Sequence, residues 1–160
     1  MTAATGAVTL PTVEDTVEFG RRLGARLRAG DLVLLAGPLG AGKTVLVRGI
    51  GAGLGVVGTV SSPTFVIARV HRPGPAGAGV PLVHVDAYRL GDDLAQLDDL
   101  DLDTDLMDAA VVVEWGEGVA ERLSADHLLI RLERRDDDVR VATMEPHGSW
   151  VERLDTLSAV

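Results

Sequence analysis

The 160-residue sequence contains no cysteine. That removes disulfide scaffolds, thiol catalysis and cysteine-ligated metal centres from consideration, and it suits a reducing compartment. Aromatic residues are scarce as well, at 3%, against a hydrophobic fraction of 46%. The core must therefore be built from Val, Leu, Ile and Ala. No apolar run approaches the roughly 20 residues of a membrane span. Met1–Leu10 lacks a basic start ahead of an apolar block, so no secretory leader is expected. The expected setting is cytoplasmic, away from the membrane. Positive charge is also in short supply, with a formal net charge of −9. A free-standing nucleic-acid binder carries a basic face, so any role involving RNA is expected to run through a partner.

One scarcity is directly informative. Of 15 basic residues, Lys43 is the only lysine. It sits in Gly37-Pro38-Leu39-Gly40-Ala41-Gly42-Lys43-Thr44, which matches G-x-x-x-x-G-K-[ST]. The glycines of such a loop let the backbone curl so that its amides form an anion nest at a helix N-terminus. A compact ammonium on a flexible stem suits phosphate oxygens. Lys43 is expected to bridge the β- and γ-phosphates of ATP, which also makes it a catalytic candidate, and Thr44 to present its hydroxyl to Mg²⁺. Gly37, Leu39, Gly40, Ala41, Gly42 and Val45 complete the expected nucleotide-binding stretch. No N-K-x-D base-reading motif is present, which favours ATP over GTP.

The surrounding pattern supplies the context that this motif needs. Val13, Val17, Leu23 and Leu27 recur at near-helical spacing, so a helix is expected from Val13 to Arg28, with Thr12 as its cap and Gly30 at its end. Leu32–Ala36 reads as a strand buried on both faces, and a helix follows from Lys43 to about Leu54, with Gly51, Gly53, Gly55 and Gly58 marking its exit. Strands are expected over Thr64–His71, Leu82–Asp86 and Ala110–Glu114. Arg72–Pro81 reads as a connection and Asp92–Asp108 as short acidic helical pieces. A strand pair, His127–Glu133 and Val139–Glu145, precedes a last amphipathic helix over Ser149–Leu157. The expected fold class is α/β. It is a single P-loop NTPase domain over residues 1–160, with a mostly parallel central sheet, antiparallel strands toward the C-terminus and flanking helices.

Two strand-terminal acids could complete the site. Asp86 ends Leu82-Val83-His84-Val85-Asp86 and is expected on the metal side, directly or through water. Glu114 ends a neighbouring apolar strand and is expected to hold the metal shell or polarise an attacking water. Trp115 has two readings, a cover for the nucleotide or a packing residue. Thr64 follows Ser62-Pro63 and could reach the metal or the water; the alternative is strand initiation after proline. Arg89 could balance phosphate charge or pair with the acidic stretch. His71, His84, His127 and His147 show no metal-ligand spacing and read as structural or surface residues.

Gly37–Thr44, Ser62-Pro63-Thr64-Phe65, His84-Val85-Asp86-Ala87-Tyr88-Arg89-Leu90 and Val113-Glu114-Trp115, in this order, resemble the bacterial TsaE (YjeE) ATPases. The similarity runs over roughly residues 10–145, leaving 146–160 as a C-terminal helix or tail. It implies an ATP- and Mg²⁺-dependent accessory protein for threonylcarbamoyladenosine formation in tRNAs that read codons beginning with A. It also implies work with the TsaD–TsaB complex, through which tRNA is met only indirectly. By the same resemblance Thr16, with Val13, approaches the adenine. The loop departs from the family's frequent G-D-L-G-A-G-K-T by carrying Pro38, which has no amide to offer. Two other readings stay open: a small-molecule P-loop kinase, and a nucleotide-sensing interaction module with negligible turnover.

Overall fold

The computed structural model describes residues 6–38, 40–58, 68–75, 77, 79–86, 108–114 and 125–158. Seven strands and three helices are described in the order β1 (Gly6–Leu10), α1 (Val13–Gly24), β2 (Leu32–Ala36), α2 (Lys43–Leu54), β3 (Ala68–His71), β4 (Leu82–Asp86), β5 (Ala110–Glu114), β6 (His127–Arg134), β7 (Arg140–His147) and α3 (Trp150–Ser158). The strands form one sheet in the order β1-β7-β6-β2-β5-β4-β3. The central pairs β6–β2, β2–β5 and β5–β4 are parallel. The outer pairs β1–β7, β6–β7 and β3–β4 are antiparallel. This is the mixed α/β sheet expected from the sequence. Among the described residues no helix is long and apolar enough to cross a membrane.

Strand β1 is an addition to the sequence reading. Val8 and Leu10 alternate onto the core side of its five residues while it zips along β7, from Gly6 opposite Met144 to Leu10 opposite Arg140. Helix α1 starts where expected, with Thr12 and Asp15 exchanging both hydrogen bonds of a capping box. It stops at Gly24 rather than Arg28. Beyond it Arg26 bonds to Leu23 and Leu27 to Gly24, three residues back, so the chain tightens while Leu27 stays buried. The apolar period therefore outlasts the α-helical hydrogen bonding. Part of the expected strand, 64–67, and the acidic pieces over 92–107 lie outside the described residues.

Helices α1 and α2 pack face to face through glycine. A Cβ on Gly24 would strike the Ile50 carbonyl, and one on Gly49 the Val17 carbonyl. Gly51 and Gly53 thus belong inside α2, which ends at Leu54 as expected, with a left-handed Gly55 as its cap. Gly49→Ala is expected to cost about 1–3 kcal/mol of stability, because backbone must give way and a better helix former does not offset that. Urea unfolding measures it; an unchanged midpoint would mean that the helices separate freely.

Side chains of one sheet face, including Val33, Leu35, Leu82, Val112, Leu128 and Ile130, form the main core with α1, α2 and α3. The opposite face contributes a second cluster around Leu34, Val85 and Val111. Helix α3 closes the main core with Trp150 and Leu154, and its Arg153 reaches both carboxylate oxygens of Asp31 at 2.6 and 2.9 Å. On β3, buried His71 has an Nε2 with no hydrogen-bond partner among the described residues. Burial, and then the charges of His84 and Arg69, hold its imidazole below the ordinary value. The unfolded chain therefore binds more protons as pH falls below about 6.5, and stability declines there while remaining whole above it. His71→Gln is expected to lose less melting temperature than wild type between pH 8 and pH 5; equal losses would exclude His71 as the source.

Candidate functional site

The Gly-rich loop leaves the C-terminal end of β2 and runs into α2. Its glycines are required by geometry. Gly37, Gly40 and Gly42 have φ of 146°, 82° and 103°, values that favour residues without a Cβ. At Gly37 a Cβ would also strike the Leu132 carbonyl of β6. Pro38 contributes through its carbonyl, which accepts from the Ala41 amide at 3.2 Å. Gly42 is the left-handed cap of α2 and carries no side-chain bond to the helix amides. The first turn therefore lacks a side-chain cap and presents the positive end of the helix dipole.

Lys43 is the first residue of α2 and is buried. Its ammonium donates to the Gly37 carbonyl at 2.7 Å, folding the side chain back over the loop. Burial holds the ammonium below its ordinary value, while the negative charges of Glu114 and Asp86 oppose that shift. The two acids expected from the sequence are thus both close enough to be felt at Lys43.

Their placement follows from sheet register. Asp86 of β4 lies opposite Glu114 of β5, and Glu114 lies opposite Leu35 of β2. All three belong to the face that α2 covers, at the ends of parallel strands, which is where open α/β sheets bind ligands. Glu114 is almost fully buried, and its Oε1 lies 3.4 Å from Thr44 Oγ1. Its Oε2 lies 2.5 Å from Nε2 of fully buried His84. Among the described residues, no group of three His, Cys, Asp or Glu side chains could hold a metal by itself. A hydroxyl and two carboxylates beside an anion nest instead suit Mg²⁺ shared with phosphate oxygens.

The other sequence-derived candidates fall out unevenly. Val17 packs on Gly49 and Arg21 on Gly53, so α1 and α2 run in the same sense. Val13 and Thr16, early in α1, therefore lie toward the Lys43 end of α2. Val13 is exposed; Thr16 is buried, with its hydroxyl turned to the Thr12 carbonyl at 3.5 Å. Ala41 is buried and Val45 half-buried. Leu39, Thr64 and Trp115 lie outside the described residues, as does Arg89.

Two features escaped the sequence reading. One is His84, grouped there with structural or surface histidines. Period-two alternation on β4 would have placed it on the same face as Asp86. The other is the β6–β7 turn. Asp138, in a left-handed conformation with φ 65°, accepts from Arg134 on its side chain and from Arg140 on its carbonyl. Arg140 Nε then lies 3.3 Å from where a Cβ of Gly42 would be, and Arg134 Nη1 lies 3.9 Å from that of Gly40. Nothing in the spacing of β6 and β7 announces that their turn hangs beside the loop.

A Gly-rich loop between β2 and α2, a buried lysine at the helix start and acids at adjacent strand ends define a member of the P-loop fold class. The model of one family within it, described as threonylcarbamoyl adenosine biosynthesis protein TsaE, matches residues 10–142. The chain belongs to the TsaE family. It is 60% identical over 144 residues to the tRNA threonylcarbamoyladenosine biosynthesis protein TsaE of Mycobacterium tuberculosis, covering 86% of this chain and 85% of that one. The Streptomyces coelicolor protein of the same name is 59% identical over 135 residues, or 82% and 90% of the two chains. The crystal structure of Bacillus subtilis YdiB superposes with a TM-score of 0.79 at 29% identity, covering 99% of this chain and 97% of that one.

Proposed function

We propose that the protein binds Mg²⁺–ATP in this loop and hydrolyses it in support of threonylcarbamoyladenosine formation in tRNAs reading codons that begin with A. The observation that carries the reading is the convergence of Lys43, Thr44, Asp86 and Glu114 at one end of the sheet, in a chain of the TsaE family. The residues present fit the ligand: positive-φ glycines supply the curl, the uncapped first turn of α2 supplies donors, and oxygen ligands suit a hard cation.

In this reading the loop amides and Lys43 hold the β- and γ-phosphates, and Thr44 Oγ1 with Asp86 holds the metal side. Glu114 would hold the metal shell or polarise the attacking water, and its carboxylate would accept the proton as the water oxygen bonds the γ-phosphorus and ADP leaves. When bound, Mg²⁺ would neutralise charge developing on the phosphate oxygens. The buried setting strengthens each of these interactions over its value in water. With a formal charge of −9, the protein is suited to meet tRNA through partners rather than directly. The TsaD–TsaB complex is the proposed partner, and its engagement is proposed to raise a low intrinsic turnover.

The test is ATP hydrolysis by the purified protein, alone and with purified TsaD–TsaB, alongside equilibrium ATP binding. Stimulated hydrolysis is the expected result. ATP binding without stimulation would sink the partner-dependent role, and phosphoryl transfer to a small molecule without partners would favour a kinase. No ATP binding at all would remove the nucleotide site.

A further inference from the structure

We infer that His84 is a positioning residue for Glu114: its Nε2–H fixes one carboxylate oxygen so that the other is presented to the Thr44 side of the site. The inference deepens the proposed function and rests on it for what Glu114 acts upon.

The pairing register makes the contact possible. His84 lies opposite Val112, and Glu114 lies two residues further along β5 on the same face. Diagonal neighbours of this kind are within reach of long side chains. His84 Nε2 and Glu114 Oε2 close to 2.5 Å, and His84 is fully buried. An ionised carboxylate can only accept, so the imidazole donates from Nε2. Both the neutral Nε2–H tautomer and the imidazolium donate from that atom, so the role does not depend on which is present.

The pair is poorly explained as structural glue. It sits on the sheet face that carries Leu82 and Val112 into the main core, where two hydrophobic residues would fill the space without any desolvation cost. His84 Nδ1 has no hydrogen-bond partner among the described residues, so the side chain's described polar contact is the one to Glu114. What the contact accomplishes is orientation. With Oε2 held by His84, Oε1 faces Thr44 Oγ1 at 3.4 Å. Glu114 has three side-chain torsions and feels the Lys43 ammonium. Without the imidazole donor, the carboxylate is drawn to the lysine, where it would neutralise the charge meant for phosphate.

Three variants separate orientation from bulk. Gln places an amide N–H near the Nε2 position, Asn near Nδ1, and Leu supplies neither. The first readout is the gain in ATP affinity on adding Mg²⁺. It is expected to fall about tenfold or more in His84→Leu and His84→Asn, and to recover to near wild type in His84→Gln. The second is hydrolysis with TsaD–TsaB, where kcat is expected to fall about 10–100-fold in the Leu and Asn variants with KM nearly unchanged. An unchanged Mg²⁺ gain and kcat in His84→Leu would overturn the inference, as would equal impairment of the Gln and Asn variants. If His84→Leu fails to fold, the Gln and Asn comparison decides alone. Wild-type protein that binds Mg²⁺–ATP and never hydrolyses it would defeat the proposed function, while the Mg²⁺ readout would still judge His84.

Discussion

ATP affinity is expected to fall about a hundredfold when Lys43 is replaced by alanine. The ammonium is proposed to bridge two phosphate groups, and each charge-assisted hydrogen bond contributes about 1.5–3 kcal/mol. Losing about 3 kcal/mol corresponds to roughly two decades in Kd. Arg cannot stand in easily. Lys43 is buried at the start of α2 and bends back onto the Gly37 carbonyl, and a planar guanidinium does not fit the same path. The fold is expected to survive, because burial already disfavours the charged lysine. Removing it relieves a desolvation cost, though it leaves Glu114 and Asp86 facing each other with less compensation. Calorimetric titration of wild type and Lys43→Ala with Mg²⁺–ATP measures the effect. Equal affinity would remove Lys43, and with it the loop, from the nucleotide site.

For Glu114→Gln the expected pattern is the reverse: binding retained and hydrolysis lost. The amide keeps the shape and still offers an oxygen to His84 Nε2, so ATP affinity without Mg²⁺ should change no more than a few-fold. The amide cannot take a proton from water, and kcat in the presence of TsaD–TsaB is expected to fall about 10²–10⁴-fold. Glu114→Ala should bind ATP similarly without Mg²⁺ and be at least as slow, with a cavity at the strand end as an added defect. Single-turnover hydrolysis at saturating ATP gives the chemical step directly. A Glu114→Gln protein turning over at the wild-type rate would end its role in hydrolysis and leave Asp86 and Thr44 as the site's remaining reactive side. These two variants together separate holding the nucleotide from using it.

Much of the site was legible because its parts are local. The loop needs glycines, a lysine and a hydroxyl residue within eight positions, and the apolar run Leu32–Ala36 before it and the helix after it can be read from neighbours in sequence. Asp86 and Glu114 were legible as acids that end apolar runs. The Thr12–Asp15 capping box is equally local, and it starts α1 where the pattern said. The end of α1 is not legible in sequence because Leu27 keeps the apolar spacing after the hydrogen bonds have tightened. In sequence, Gly51, Gly53 and Gly55 read alike as an exit signal, although the first two lie inside α2. Their second use, letting α1 approach, depends on a helix about thirty residues away in sequence.

What the sequence by itself determined is therefore the loop, the buried parallel strands and the acids at their ends, since hydrophobic period and turn chemistry act over a few residues. Tertiary structure alone decided which of those residues meet. Strand register, set by β4, β5 and β2 lying side by side, brought Asp86, Glu114 and Thr44 to one end of the sheet and turned His84 onto Glu114. The β6–β7 turn likewise set Arg134 and Arg140 beside the loop. Register depends on pairing across dozens of residues, and a one-residue slip of β4 would turn His84 and Asp86, as one of β5 would turn Glu114, to the opposite face.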